Sequence, residues 1–361
     1  MRAIIACGGT GGHLFPGLAV AEVLKDHGHE ILLFVSEKDI DMQALKSHPE
    51  FRSERLPSIG LPSMFSPAVV NFVRRMWESI SRCREVYKRN RPNVILGMGG
   101  FTSMAPILAG RMMGIPTLIH ESNAIPGRAN KMAGRFVTHA LLGMECCKKY
   151  FPDADAIVTG TPIRSTLGHP IPREEALSAF KLDPARKTLL VMGGSQGAMG
   201  INQLLFKSVP LLAKENLQII HLTGDHDDRL AAANYLREEI PAYVSAFHHK
   251  MEEVYSATDL AVSRSGAASI SELAAFGIPS ILIPYPYATD NHQEENAKFL
   301  VDADAALLIK ESETASELFV RLLLGLLQDE QRRAQMSASA KAVAPMDAAK
   351  NVAAVMERIA K

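Results

Sequence analysis

Three features of the sequence predict an α/β protein built from two doubly wound parallel-sheet domains. Short apolar runs alternate with helical patterns along the chain, the mark of successive βαβ units. The order strand, glycine loop, helix opens each half, first from residue 3 and again from residue 188. A length of 361 residues is enough for two domains with a core each. The expectation is two Rossmann-like domains facing a cleft, with the strand ends of both around one ligand space.

In the first half an apolar strand at 3–7 runs into Gly8-Gly9-Thr10-Gly11-Gly12-His13. A helix with Leu18, Val20, Val23 and Leu24 follows, Gly28 closes it, and 31–35 is the next strand, completing a right-handed crossover. Residues 57–67 read as loop and 69–90 as helix. The strand at 94–96 ends in Gly97-Met98-Gly99-Gly100-Phe101, before a helix at 105–113. The strand at 117–119 ends at His120-Glu121-Ser122-Asn123, and polar residues 170–183 connect the halves. The pattern restarts with a strand at 188–192, the loop Gly193 to Gly197 and a helix at 202–212. Strands at 218–222 and 244–247 precede an apolar strand from 260 that enters Ser263-Arg264-Ser265-Gly266. A short helix then stops at Gly277 with Pro279 beyond, and a strand at 280–283 leads through a proline-rich loop to His292-Gln293-Glu294-Glu295-Asn296. A strand at 305–309 and helices at 315–327 and 348–359 finish the chain. Residues 1–163 are thus expected to form one domain, with the C-terminal helix (about 345–361) packed back on it, and 164–344 the other.

Composition excludes several classes. Thirty-nine basic residues balance 39 acidic ones, so bulk charge does not hold this chain on nucleic acid. Cys7, Cys83, Cys146 and Cys147 form no C-x-x-C, which points to a reduced compartment and no structural zinc. The apolar run at the N-terminus is too short for a signal peptide, and no run approaches the ~18 residues of a membrane span, so a membrane role would be peripheral.

A helix N-terminus at the end of a strand binds anions through free N–H groups. The turn at Gly266 and the polar loop after 283 therefore suit a phosphate joined to a polyhydroxylated group. Glu272 has two readings: a carboxylate for sugar hydroxyls, or the last residue of a capping box Ser269-Ile270-Ser271-Glu272. The loop Gly8 to Gly12 lacks the Lys-Ser/Thr of a P-loop, and Leu14 replaces the last glycine of G-x-G-x-x-G. Glu37, where a dinucleotide enzyme keeps its ribose carboxylate, leaves a nicotinamide oxidoreductase as a rival. His13, just after the glycines, is either a surface cap or a base kept neutral by the positive helix end. Asp225-His226-Asp227 fits helix-capping acids better than a metal site. In the 69–91 helix, Val69, Phe72, Val73, Met76, Trp77 and Ile80 recur at helical spacing among Arg74, Arg75, Arg82 and Arg84. That is an ordinary core-facing stripe or an apolar, basic patch for anionic lipid.

The segments GGTGGHLFPGLAVAEVL, GMGGF, HESNAIPGRANK, GGSQGAMGIN and SRSGAASISELAAFGIPSILIPYPYATDNHQEENA, in this order, resemble the MurG family of bacterial transferases. The resemblance spans both halves. It implies the GT-B fold, no cofactor and no metal. It implies transfer of N-acetylglucosamine from its UDP donor to lipid I, giving lipid II, with inversion. The enzyme would be peripheral on the cytoplasmic face of the inner membrane, with other cell-wall synthesis proteins as further contacts. By the same resemblance Glu272 holds the ribose, while Ser195 and Gly266, Ala267, Ala268 and Ser269 meet the diphosphate. The backbone of His248 reads the uracil, Arg164 lies next to the nucleotide, and His292, Gln293 and Asn296 contact the sugar. Thr10, Gly11, Gly12, His13 and Asn123 line the acceptor side of the cleft, and the patch from Val69 to Ile80 faces the membrane. His13 is the candidate base, with Glu121 and His120 in reserve. The chain departs from the family at Phe101, Ser122, Thr161 and His292, where Tyr, Gln, Asn and Gln are usual. Another GT-B transferase, a UDP-sugar epimerase and a non-catalytic membrane scaffold remain alternatives at this stage.

Overall fold

The computed structural model describes residues 1–46, 48–57, 68–168, 170–194, 197–314, 316–344 and 347–360. The chain divides into two compact units, Met1–Ser165 with Met346–Lys361, and Thr166–Pro345. The first contains β1 (Arg2–Ala6), β2 (Glu30–Ser36), β3 (Arg52–Leu56), β4 (Val94–Gly97), β5 (Thr117–Glu121), β6 (His139–Leu142) and β7 (Asp155–Val158). They form a seven-stranded sheet, β3-β2-β1-β4-β5-β6-β7, parallel throughout. Its helices are α1 (Gly11–Asp26), α2 (Asp39–Lys46), α3 (Ala68–Arg89), α4 (Gly100–Met112) and α5 (Arg128–Ala133).

The second unit has α6 (Arg173–Ala179), α7 (Met199–Leu212), α8 (Asp228–Arg237), α9 (Met251–Ala257), α10 (Ala267–Ala275), α11 (His292–Asp302), α12 (Ser316–Gln328) and α13 (Glu330–Val343). Its strands are β8 (Lys187–Met192), β9 (Leu217–Leu222), β10 (Ala242–Ser245), β11 (Leu260–Ser263), β12 (Ser280–Leu282) and β13 (Ala306–Leu308). The six-stranded sheet β10-β9-β8-β11-β12-β13 is also parallel. The last helix, α14 (Ala348–Ile359), returns to the first unit.

Strand periodicity explains the layers. Ile4 and Ile5 are both buried but point to opposite faces. On one face Ile4, Phe34, Ile95 and Ile119 pack with Ile80, Cys83 and Tyr87 of α3 and Ile107 of α4. On the other, Ile5, Leu33, Leu96 and Leu118 pack with Leu14 and Leu18 of α1 and Val352 and Met356 of α14. Polar ties fix α14 further. Asn351 donates to the Thr159 carbonyl at 3.2 Å, and Glu357 Oε1 meets His27 at 2.7 Å and His29 at 3.0 Å.

Several elements differ from the sequence expectation. The helix expected at 105–113 begins at Gly100, with Gly99 as its N-cap, because the Ser103 hydroxyl ties back to the Gly99 backbone and closes the first turn there. The strand expected at 244–247 spans Ala242–Ser245, since the Ser245 hydroxyl bonds the Phe247 carbonyl and turns the chain. β3 buries Leu56 alone and lies at a sheet edge, so Arg-Ser-Glu-Arg-Leu carries no strand pattern. α13 buries Arg333, whose guanidinium donates to the Leu326 and Leu327 carbonyls at the end of α12. Of the expected loop at 57–67, all but Pro57 lie outside the described residues, as does residue 315 of the expected helix at 315–327.

Two expectations follow. Met356 is fully buried. Met356→Ala should therefore destabilise the first unit by about 2–4 kcal/mol, read from the urea midpoint. In the second unit, His221 lies buried between the Tyr235 hydroxyl (2.8 Å) and Asn202 Oδ1 (3.0 Å), and burial pulls it down to about 3. The unfolded chain, with its imidazole near the ordinary ~6.5, then binds a proton that the folded chain refuses. This contribution is complete above that value and is lost as pH falls toward about 3, on the order of 3–5 kcal/mol in all. Denaturation midpoints measured across this window should fall with pH, and the slope should flatten in His221→Gln.

Candidate active site

In each sheet one point exists where consecutive crossovers leave in opposite directions: between β1 and β4, and between β8 and β11. Ligands of open α/β sheets bind outside the strand ends at such points. In the first unit the two loops there are the glycine loop before α1 and Met98-Gly99-Gly100 before α4. His13 is the third residue of α1, half-buried, and its Nδ1 lies 3.1 Å from the Thr10 hydroxyl. With Nδ1–H donating to Thr10, Nε2 is left to accept a proton. The ring rests on the second loop. A Cβ on Gly99, where φ is +113°, would lie 2.8 Å from His13 Nε2. Burial lowers the His13 pKa, while the nearby carboxylates of Glu121 and Asp41 raise it and Lys38 lowers it.

Glu121 is buried and accepts four hydrogen bonds. Oε1 takes the backbone and side-chain N–H groups of Asn123, both at 2.9 Å, and Oε2 takes Gly127 N–H (2.9 Å) and Asn130 Nδ2 (3.0 Å). Both oxygens are thus spent on the loop after β5, a poor arrangement for the reserve base. His120 is fully buried, its pKa lowered by that burial, and its Nε2 meets the Gly160 carbonyl at 3.0 Å. Arg164 stacks over the Phe15 ring at 5.3 Å, while Gly11 and Gly12 form the first turn of α1.

The nicotinamide reading loses its footing here. Glu37 is exposed, and the acid that turns toward the glycine loop is Asp41 of α2, which sequence reasoning missed. A Cβ on Gly8 would meet Ser36 N at 2.1 Å and Asp41 Oδ2 at 2.7 Å, so protein fills the space beside Gly8. No pattern marks Asp41, because α2 is short and its partner is a backbone N–H from another segment.

In the second unit, α10 begins at Ala267 with Gly266 as its N-cap and no side-chain cap. The N–H groups of Ala267, Ala268 and Ser269 therefore open the helix. Ser269 is the third helical residue, so the capping-box reading of Ser269 and Glu272 is wrong: Glu272 lies a turn too deep. Its carboxylate is buried and accepts the Tyr255 hydroxyl at 2.7 Å. The loop before α11 is tied to this helix start. Ser265 donates to the Gln293 carbonyl (2.7 Å), the buried Asn296 donates to the Ser265 carbonyl (3.1 Å), and Gln293 Oε1 accepts Tyr285 N–H (2.9 Å). His292 Nδ1 lies 2.7 Å from the Thr289 carbonyl. The His248 side chain is held by Tyr243 (3.2 Å) and Glu253 (3.3 Å). Asp227 is the N-cap residue of α8 and accepts from Asn202 Nδ2 at 2.7 Å. Arg264, also missed, is buried with its guanidinium on the Ile283 and Pro284 carbonyls and on Glu311 at 2.6 Å. Ser195 lies outside the described residues.

The membrane patch needs a correction. Ile80 is buried, and Val69, Phe72 and Met76 are half-buried, Phe72 edge-on to Phe101 at 5.8 Å. They form the inward stripe of α3. The exposed apolar residues are Val70, Val73 and Trp77, beside Arg74 and Arg75.

Gly99 offers a direct test of the packing around His13. Gly99→Ala places a methyl group against the imidazole at a φ that non-glycine residues resist, so stability should drop by about 1–3 kcal/mol in a thermal or urea melt.

Residues 3–142 match the glycosyltransferase family 28 N-terminal domain and residues 188–352 its C-terminal domain. The chain is 36% identical to the UDP-N-acetylglucosamine–N-acetylmuramyl-(pentapeptide) pyrophosphoryl-undecaprenol N-acetylglucosamine transferase of Geotalea uraniireducens, over 99% of this chain and 98% of that one. It is 34% identical to the protein of the same name from Bacillus licheniformis, over 99% of each. Among solved structures, Acinetobacter baumannii MurG superposes with a TM-score of 0.80 at 26% identity, covering 99% of each chain. Two parallel sheets of this kind are the GT-B fold, and by these matches the chain belongs to glycosyltransferase family 28 and, within it, to the MurG family.

Proposed function

We propose that this glycosyltransferase moves N-acetylglucosamine from UDP-N-acetylglucosamine to the 4-hydroxyl of the muramyl group of lipid I, forming lipid II for peptidoglycan and so serving cell shape and division. The observation that carries the reading is the uncapped start of α10 in the same helix as the buried Glu272: an anion seat and a hydroxyl acceptor on one short helix. A UDP ribose and diphosphate need that pair.

In the proposed reaction the acceptor oxygen bonds to the anomeric carbon as the bond from that carbon to the diphosphate breaks. The transition state is oxocarbenium-like. Nε2 of His13 takes the hydroxyl proton. The negative charge arriving on the leaving diphosphate is met by the N–H groups of Ala267, Ala268 and Ser269, with Ser195 as a further donor. Glu272 accepts from the ribose hydroxyls, and the backbone of His248 pairs with uracil. Gln293, His292 and Asn296 border the sugar. Glu121 and Asn123 act by shaping the loop beside His13 rather than as base. The protein works as a peripheral enzyme on the cytoplasmic face of the membrane. Val70, Val73 and Trp77 enter the lipid interface, and Arg74 and Arg75 meet anionic headgroups.

The test is transfer of radiolabelled N-acetylglucosamine to a lipid I analogue. Wild-type protein should transfer, and its failure to do so overturns the reading. His13→Ala should lower kcat by about 10²–10⁴-fold. Glu272→Ala should chiefly raise the KM for the donor. Because burial favours the neutral imidazole, kcat/KM should stay level on the acid side until pH drops below the ordinary ~6.5. Trp77→Ala should bind anionic vesicles less tightly in co-sedimentation, with transfer to a short-chain acceptor unchanged.

A further inference from the structure

We infer that Asp41 and Lys38 are positioning residues for His13, gripping Gly9 by both of its backbone groups and thereby fixing the start of α1. The inference rests on the reading of His13 as the base. Asp41 Oδ2 accepts Gly9 N–H at 2.8 Å, and the same oxygen accepts the Ser36 N–H (2.8 Å) and hydroxyl (2.6 Å). On the other side, Lys38 Nζ donates to the Gly9 carbonyl at 2.8 Å. Gly9 sits at φ +110°, a conformation open to glycine that leaves both of its backbone groups free to meet this pair. The next residue is Thr10, the N-cap of α1, whose hydroxyl holds His13 Nδ1. Two charges of opposite sign are thus one residue away from the group that orients the imidazole.

The pair does more than hold shape. Asp41 is fully buried, and its Oδ1 meets no donor among the described residues, so part of its charge is left uncompensated by hydrogen bonds. Lys38 is exposed. The charged and titratable groups that face His13 are Glu121 from β5, Asp41 from α2, Lys38 from the turn after β2, and His120. The two carboxylates favour the imidazolium that forms when the acceptor hydroxyl gives up its proton, and Lys38 opposes it. Asp41 therefore raises the proton affinity of a base that burial depresses.

The experiment is an NMR pH titration of histidine-labelled full-length protein, with the His13 signal assigned by its loss in His13→Gln, run beside the pH profile of transfer. Asp41→Asn keeps size and an acceptor oxygen but removes charge. It should move the His13 midpoint to lower pH by about half a unit or more, and the acid limb of kcat/KM with it. Lys38→Met should move both in the opposite direction. An unchanged His13 midpoint in the folded variants, or movement in the same direction in both, overturns the inference. Should Asp41→Asn fail to fold, Lys38→Met carries the test, and an unmoved midpoint there is decisive. Full transfer by His13→Ala would instead overturn the base assignment, while the titrations would still report whether the two residues act on His13.

Discussion

Parallel strand pairing is the constraint from which the rest of this molecule follows. Parallel strands need crossovers, and crossovers put helices on both faces, so the strands are apolar on both sides. The connections that follow the strands then all emerge at one edge. A sheet whose strand order reverses in the middle leaves a gap at that edge, flanked by two loops, and nothing packs there by default. Both sheets reverse, at β1 and β4 and at β8 and β11. The chemistry-bearing residues collect at these places for topological reasons before any selection for chemistry.

The two gaps are furnished differently. In the first unit the glycines admit protein. Asp41 and Ser36 press against Gly8, and His13 presses against Gly99. Their lack of side chains serves the close seating of an imidazole and a carboxylate. In the second unit the helix start is left open: Gly266 provides no capping side chain, and Asn296 and Ser265 bind neighbouring backbone instead. One unit thus concentrates preorganised side chains, the other preorganised backbone donors.

Much of this was legible in the sequence. Buried parallel strands such as Leu260 to Ser263 are short apolar runs bounded by glycine, and that pattern survives without any knowledge of neighbours. The glycine loops announced the strand ends, and the order of motifs carried the family. Elements whose buried side is small or interrupted by charge left no trace: β3 at the sheet edge, which buries Leu56 alone, and α13, which buries Arg333 beside Met336, are examples. So did partnerships between segments distant in the chain. Asp41 meets Gly9 across 32 positions, and Glu311 meets Arg264 across two strands and two α-helices. Local pattern was also ambiguous where one residue fits two geometries. Ser269 and Glu272 have capping-box spacing, and only the observed helix start at Ala267 removes that reading. In α3, helical spacing found the apolar residues but could not tell the inward stripe from the outward one, because Val70, Val73 and Trp77 differ from Phe72, Met76 and Ile80 by a fraction of a turn.

The return of α14 has a consequence for synthesis. Val352 and Met356 complete a face of the first unit's core, yet in the chain they follow the whole of the second unit. The nascent first unit must therefore wait, with Leu14, Leu18 and Leu33 short of partners, while the whole of Thr166–Pro345 is made and folds. The second unit has all its residues before the first has α14 to seal that face. Closing so long a loop costs little more than closing a short one, since the entropy grows only with the logarithm of length. The vulnerable interval is the delay itself, when an unfinished apolar face is open to chaperones and to other nascent chains.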